Sequence, residues 1–118
     1  MPHDDVPEIK VRQLAEKLKT PDRFIILDVR EPWELERVHL NDPRLACRPM
    51  SRIANEGLKA LPEAARSLEA EIYVICHQGV RSAQVAMWLI ARGWTHVFSV
   101  AGGIDEYARK IDKKLGRY

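Results

Sequence analysis

The 118-residue chain reads as an α/β protein, a mainly parallel sheet with helices on both faces. Three observations predict this. Phe24 to Val29 and Ile72 to Ile75 are continuous apolar runs, broken only by Asp28, and not alternating ones; this is the pattern of strands buried on both faces of a parallel sheet. Stretches with helical spacing alternate with these runs in short units. The length suits one domain, spanning residues 1–118 and long enough to bury a core.

The elements follow in chain order. Residues 1–7 are polar, hold two prolines and are expected to be irregular. Glu8-Ile9-Lys10 is a candidate for a very short edge strand. Val11, Leu14, Ala15 and Leu18 fall at i, i+3, i+4 and i+7, one face of a helix that Thr20-Pro21-Asp22 ends. After the strand 24–29, Glu31-Pro32 starts a short helix to about His39, with Pro32 tolerated in the first turn. Asn41 to Pro43 is a turn, and Leu45 to Arg48 is a candidate strand before Pro49. Ser51 can cap a short helical turn that Asn55-Glu56-Gly57 breaks. Pro62 is expected to open a helix to about Leu68. A strand 72–76, a helix 82–92, a strand from about His96 to Val100 and a final helix from about Ile104 to Leu115 complete the chain. In the last helix Ile104, Tyr107, Ala108, Ile111 and Leu115 make one apolar stripe.

Composition narrows the function classes. A hydrophobic fraction of 46% and a charged fraction of 31% are those of an ordinary globular protein. The net charge of +2 is too small to argue for nucleic acid or a membrane surface as a partner. The start has no basic region followed by an apolar one, so no secretory signal is read there, and no run approaches membrane-spanning length. Two cysteines are too few for a disulfide scaffold and lack metal-ligand spacing, so no metal is expected. His39 and His96 lack ligand spacing too. A reducing, cytoplasmic setting follows as the default.

The chemistry concentrates in Cys76-His77-Gln78-Gly79-Val80-Arg81-Ser82, where a strand gives way to a helix. A thiol here meets helix N–H groups that have no partner inside the helix, and the positive end of the helix dipole. Both favour a thiolate. Gly79 permits positive φ within the loop. The expected arrangement is a cradle of backbone N–H groups around the Cys76 sulfur. On such a sheet, ligands sit beyond the strands' carboxyl ends, where Cys76 and Arg30 both lie.

This segment matches in full the C-x-x-G-x-R-S form of the active-site loop of rhodanese-like sulfurtransferases, which it resembles. Leu27-Asp28-Val29-Arg30-Glu31-Pro32-Trp33-Glu34-Leu35 resembles that family's D-V-R-E-x-x-E segment. Val100-Ala101-Gly102-Gly103-Ile104-Asp105-Glu106-Tyr107 is similar to its closing G-G-x-x-x-W, with Tyr107 for the usual Trp. The three occur in the family's order and span nearly the whole chain. The resemblance implies a three-layer rhodanese-like fold. It also implies a sulfurtransferase in which Cys76 takes a sulfane sulfur from a donor such as thiosulfate and passes it to an acceptor. That acceptor is cyanide in assay and a thiol or protein in the cell; no metal or organic cofactor is implied. Where the family commonly has G-H-I-P-G-A, this chain has Val38-His39-Leu40-Asn41-Asp42-Pro43, so the path of residues 38–49 is not set by the resemblance.

Around Cys76, His77 and Gln78 are expected to line the mouth, with Gly79, Val80, Arg81 and Ser82 completing the substrate-binding loop. Arg81 either attracts an anionic donor or turns inward to pair with a carboxylate such as Asp28, and bracing is the favoured reading. Asp28, inside an apolar strand, needs a partner, and Arg30 and Glu34 belong to the same supporting network. A Cys-dependent phosphatase or arsenate reductase is the rival enzyme, but these look like C-x5-R, and here four residues separate Cys76 from Arg81. A non-catalytic carrier or docking module is the rival from another class; the presence of Cys76 favours activity. Cys47 could be a resolving thiol, yet nothing around it in the sequence activates it, and it is read as a small strand side chain. Trp33 is packing or a pocket wall, Trp88 belongs to the core helix, and Trp94 packs below the next strand. Gly102-Gly103 is the turn into the last helix. The basic residues Arg109, Lys110, Lys113, Lys114 and Arg117 form a solvated face or a docking surface for an acidic sulfur partner.

Overall fold

The computed structural model describes residues 6–118. Five strands form one sheet: β1 (Glu8–Ile9), β2 (Ile25–Asp28), β3 (Leu45–Cys47), β4 (Ile72–Ile75) and β5 (Val97–Val100). Their spatial order is β1-β5-β4-β2-β3, and every pairing is parallel. Around them lie α1 (Val11–Leu18), α2 (Pro32–Arg37), α3 (Met50–Glu56), α4 (Val80–Ala91) and α5 (Gly103–Lys110). The α/β expectation holds, and so does the short edge strand at Glu8–Ile9. No helix among the described residues is long and apolar enough to cross a membrane.

The two central strands explain the two apolar runs. Every residue of β2 and β4 is buried. Ile25, Leu27, Val29, Ile72, Val74 and Cys76 face one layer, built on Ile53 of α3 and on Ala83, Val85, Ala86 and Leu89 of α4. Ile26, Tyr73 and Ile75 face the other, built on Val11 and Leu14 of α1 and Ile104 and Tyr107 of α5. Alternate side chains of a strand point to opposite faces, so a strand covered twice must be apolar throughout. Val6, within the stretch expected to be irregular, has no helix or strand but is buried in the first layer; residues 1–5 lie outside the described residues.

Where the elements differ from expectation, a tertiary contact has overridden local propensity. The segment after Pro62 is a single 3-10 turn, Glu63–Ala65, and not a helix to Leu68. Ala65 is fully buried and its carbonyl accepts the indole N–H of Trp94 at 2.9 Å, which diverts it from a helical ladder. α2 stops at Arg37, because Val38 turns extended and sends its side chain into the core with Leu40. The helix at 50–56 begins one residue before Ser51: the Met50 N–H bonds Val29 O at 2.9 Å, and the Ser51 hydroxyl donates to Glu31 Oε1 at 2.9 Å instead of capping. α4 starts at Val80, two residues earlier than expected, which puts Arg81 and Ser82 inside its first turn. α5 ends at Lys110; Asp112 then caps a separate 3-10 turn, Lys113–Leu115, by accepting the Lys114 N–H at 3.1 Å. The path of 38–49 is pinned by Arg44, whose guanidinium bonds Asp42 and the carbonyls of Leu18, Thr20 and Asp22 and lies 4.1 Å from the Phe24 ring centroid.

Topology then fixes where a ligand can sit. From β2 the chain moves outward to β3; from β4 it moves the opposite way to β5. The carboxyl ends of β2 and β4 are therefore the switch point of the sheet. In register, Asp28 lies beside Ile75, so the segments leaving the two strands, Val29-Arg30 and Cys76-His77, start side by side.

Candidate functional site

Cys76 follows β4 directly and is 1% exposed. Its Sγ accepts the N–H of Gly79 at 3.1 Å and of Ser82 at 3.3 Å, and lies 3.4 Å from Ser82 Oγ. The helix start explains this geometry. Gly79 is the N-cap of α4, has φ of 101°, and carries no side chain that could accept the orphan N–H groups. The sulfur takes that part, accepting the N–H of Ser82, the third residue of the helix. The expected cradle thus consists of two amides and one hydroxyl.

The hydroxyl is itself held. Ser82 Oγ and Ser99 Oγ are 2.8 Å apart, and both residues are fully buried. With a thiolate at Cys76, Ser82 donates to the sulfur and Ser99 can donate to Ser82. Ser99 escaped the sequence reading, although its signal was the one that exposed Asp28: a lone polar residue in an apolar strand, Val97-Phe98-Ser99-Val100.

The loop's carbonyls are held from the other side. Cys76 O accepts the N–H of Ile104 at 2.9 Å, and His77 O accepts that of Asp105 at 3.0 Å. The free N–H groups at the start of α5 are thereby used to pin the loop, and Gly102-Gly103 forms the turn into that helix, as expected. Gly103 must lack a side chain. A Cβ there would overlap the carbonyl oxygens of Cys76 and His77 and come 2.6 Å from the His77 carbonyl carbon.

The charged residues form one network. Arg81 donates two bonds to Glu34, at 2.6 and 2.8 Å, so the carboxylate it meets is Glu34 and not Asp28. Asp28 pairs instead with Arg30, which is fully buried and bonds it through Nε at 3.0 Å and Nη2 at 2.7 Å. Arg30 Nη1 reaches the Glu34 carbonyl at 3.4 Å and the Tyr118 hydroxyl at 3.1 Å, and that hydroxyl donates to Glu34 Oε2 at 2.8 Å. The Arg81 bonds hold the Glu34 carboxyl down at about 2, against the penalty of burial. Burial works against the charge of Arg30, but its bonds to Asp28 outweigh that, and its pKa is raised. Tyr118 is the second residue that sequence reading missed; nothing in the sequence around it marks it.

The remaining expected residues sort by exposure. Gln78 and Val80 are exposed at the rim, and the half-buried His77 ring stacks on Tyr118. Trp33 is exposed and meets Tyr118 edge-on, whereas Trp94 is buried and Trp88 packs against the core. Cys47 Sγ lies 3.7 Å from the carbonyl of Arg30, and burial, with Asp28 nearby, pushes its thiol up. That is the opposite of an activated cysteine.

The model of the rhodanese-like domain family matches residues 10–110. The chain is 32% identical over 120 residues to the rhodanese-like/PpiC domain-containing protein 12, chloroplastic, of Arabidopsis thaliana, covering 98% of this chain and 38% of that one. It is 28% identical over 118 residues to the adenylyltransferase and sulfurtransferase UBA4 of Candida albicans, covering 99% of this chain and 27% of that one. The chain thus spans well under half of these relatives. The crystal structure of a rhodanese-like domain protein from Staphylococcus aureus superposes with a TM-score of 0.72 at 26% identity, covering 95% of this chain and 98% of that one. With the parallel sheet, the loop of Cys76 and the match over residues 10–110 in agreement, the chain belongs to the rhodanese-like domain family.

Proposed function

We propose that the protein moves a sulfane sulfur from an anionic donor such as thiosulfate to a thiophilic acceptor through a persulfide on Cys76. The observation that carries this reading is the convergence of two N–H groups and a hydroxyl on the Cys76 sulfur at a helix start. The Cys76 thiolate attacks the outer sulfur of the donor. The donor's S–S bond breaks, sulfite leaves with its electron pair, and the sulfur stays on Cys76. An acceptor nucleophile then attacks that outer sulfur and the thiolate returns as leaving group. Cyanide gives thiocyanate in this step; in the cell a thiol or a protein is the acceptor. No oxidant, metal or organic cofactor is needed for the balance.

The loop N–H groups of Gly79 and Ser82 stabilise negative charge on sulfur in both steps, and the Ser82 hydroxyl, backed by Ser99, adds a third donor. His77, Gln78 and Val80 form the donor's entry. Asp28, Arg30, Glu34 and Arg81 hold the loop in place. A phosphatase reading is disfavoured by one geometric fact: both terminal nitrogens of Arg81 are spent on Glu34, so it is not free to clamp an oxyanion. A nucleophilic thiol suits a reducing, cytoplasmic setting.

Steady-state assay of sulfur transfer from thiosulfate to cyanide tests the proposal. Cys76→Ser should abolish transfer with the circular dichroism spectrum unchanged, because a hydroxyl cannot form the persulfide. Turnover by that variant at the native rate would contradict the reading, as would robust aryl phosphate hydrolysis by the native protein.

A further inference from the structure

Tyr118 has no part in the chemistry above, yet it is bound to four residues at the site. Its ring stacks on the His77 imidazole, with centroids 4.1 Å apart and planes 13° from parallel. It meets the Trp33 ring edge-on at 6.1 Å. Its hydroxyl donates to Glu34 and accepts from Arg30. The neighbouring Arg117 bonds the Asp105 carboxylate through Nε at 2.7 Å and Nη2 at 3.1 Å, and Asp105 is the residue whose N–H holds the His77 carbonyl.

This arrangement has an unsatisfied element. His77 Nε2 is buried and bonds no group among the described residues. A buried ring nitrogen without a partner is unfavourable, so a form of the site in which it meets water or a ligand is favoured on that count. Cys76 meanwhile is 1% exposed, too little for an anionic donor to reach its sulfur. The fastening is light on its outer side: the Arg117 side chain is 55% exposed, and ion pairs so open to water add little.

We propose that Tyr118 is a gate over the sulfur site: the closed form stacks it on His77, and donor access requires it to swing away, exposing His77 Nε2 and Cys76 together. This rests on the reading of Cys76 as the sulfur-accepting nucleophile. His77 then has a role only in the open form, as a donor-facing group at the mouth. The closed form limits the rate by its population, so weakening it raises apparent donor affinity without altering the thiol's surroundings.

The test reads access and not turnover. The native 118-residue chain, Tyr118→Ala and Tyr118→Phe are treated briefly with iodoacetamide for thiols and with diethyl pyrocarbonate for imidazoles, and modification is followed peptide by peptide by mass spectrometry. In Tyr118→Ala, alkylation of Cys76 and acylation of His77 should both rise about tenfold, the factor that corresponds to an open form of about one tenth of the native population. Cys47 and His96 should keep their native rates. Tyr118→Phe keeps the stack but loses both hydroxyl bonds, and should show a smaller rise, roughly threefold, at the same two residues. Unchanged rates at Cys76 and His77 in a folded Tyr118→Ala would overturn the gate. So would an equal rise at Cys47 and His96, which means general loosening. Should Tyr118→Ala not fold, no rise in Tyr118→Phe is the contradicting result. A selective rise in a protein that never transfers sulfur from thiosulfate supports the gate and refutes the sulfurtransferase reading, so the two failures are distinct.

Discussion

The Glu34 carboxylate receives both terminal nitrogens of Arg81, the N–H of Glu31 and the Tyr118 hydroxyl while almost wholly buried. Its pKa is lowered from 4.5 to about 2, first by the Arg81 bonds. A carboxyl held lower in the folded state than in the unfolded chain stabilises the fold at pH above its unfolded value and loses that contribution as pH falls through the folded one. Stability should therefore decline between pH 4.5 and about 2 by an amount on the order of 2 to 3 kcal/mol, and Glu34→Gln should flatten that part of the profile. Arg81→Ala leaves the buried carboxylate without its main partner and should cost about 3 kcal/mol, lowering the melting temperature by roughly 10 °C or more. Thermal melts across pH check both; a variant as stable as the native protein would mean that Arg81 does not brace the loop. Ser99 acts one bond further from the sulfur. Ser99→Ala removes the donor behind the Ser82 hydroxyl, and a hydrogen bond of about 1 kcal/mol corresponds to roughly fivefold slower transfer. Transfer at the native rate would show that the Ser82–Ser99 contact is packing alone.

Two helix starts define the loop at the next scale. The start of α4 supplies N–H groups to the Cys76 sulfur, and the start of α5 supplies them to the carbonyls of Cys76 and His77. The loop is so held on both its sulfur and its backbone sides, which leaves the thiol little freedom to drift. Gly103 is where the start of α5 closes on the loop. Gly103→Ala should lower stability by several kcal/mol or force the loop outward, because the added carbon overlaps backbone atoms, which yield less readily than a flexible side chain. Loss of both stability and transfer is the expected result; a fully active, stable Gly103→Ala would mean that the approach of α5 to the loop is looser than 2.6 Å implies. The Cys76 loop could be read from sequence because its signal is local: a thiol, a glycine and a helix start within seven residues. The helix expected after Pro62 could not, because the Trp94 indole that claims the Ala65 carbonyl lies 29 residues away. Which carboxylate Arg81 meets is not set by the sequence, for the same reason. Glu34 and Asp28 are both acidic residues near the end of β2, and only the start of α2 decides which of them faces Arg81.

The molecule as a whole is a fully parallel sheet, with two apolar layers meeting on β2 and β4. Central strands of such a sheet announce themselves in sequence, since burial on both faces removes the polar alternation. Strand order was beyond reach, because it depends on which way each crossover turns, and with it the placing of Arg30 beside Cys76 at the ends of β2 and β4. Tyr118 belongs to the same unreadable class: it lies 84 residues from Glu34 and 88 from Arg30 along the chain, and the fold alone joins them. The proposed chemistry requires Cys76 to hold a sulfur atom. Intact-mass spectrometry after exposure to thiosulfate and removal of excess reagent tests it most directly. The native protein should gain the mass of one sulfur, located by peptide mapping at Cys76 and released by cyanide, and Cys76→Ser should gain nothing. A native protein that gains no sulfur, or gains it at Cys47, would contradict the account.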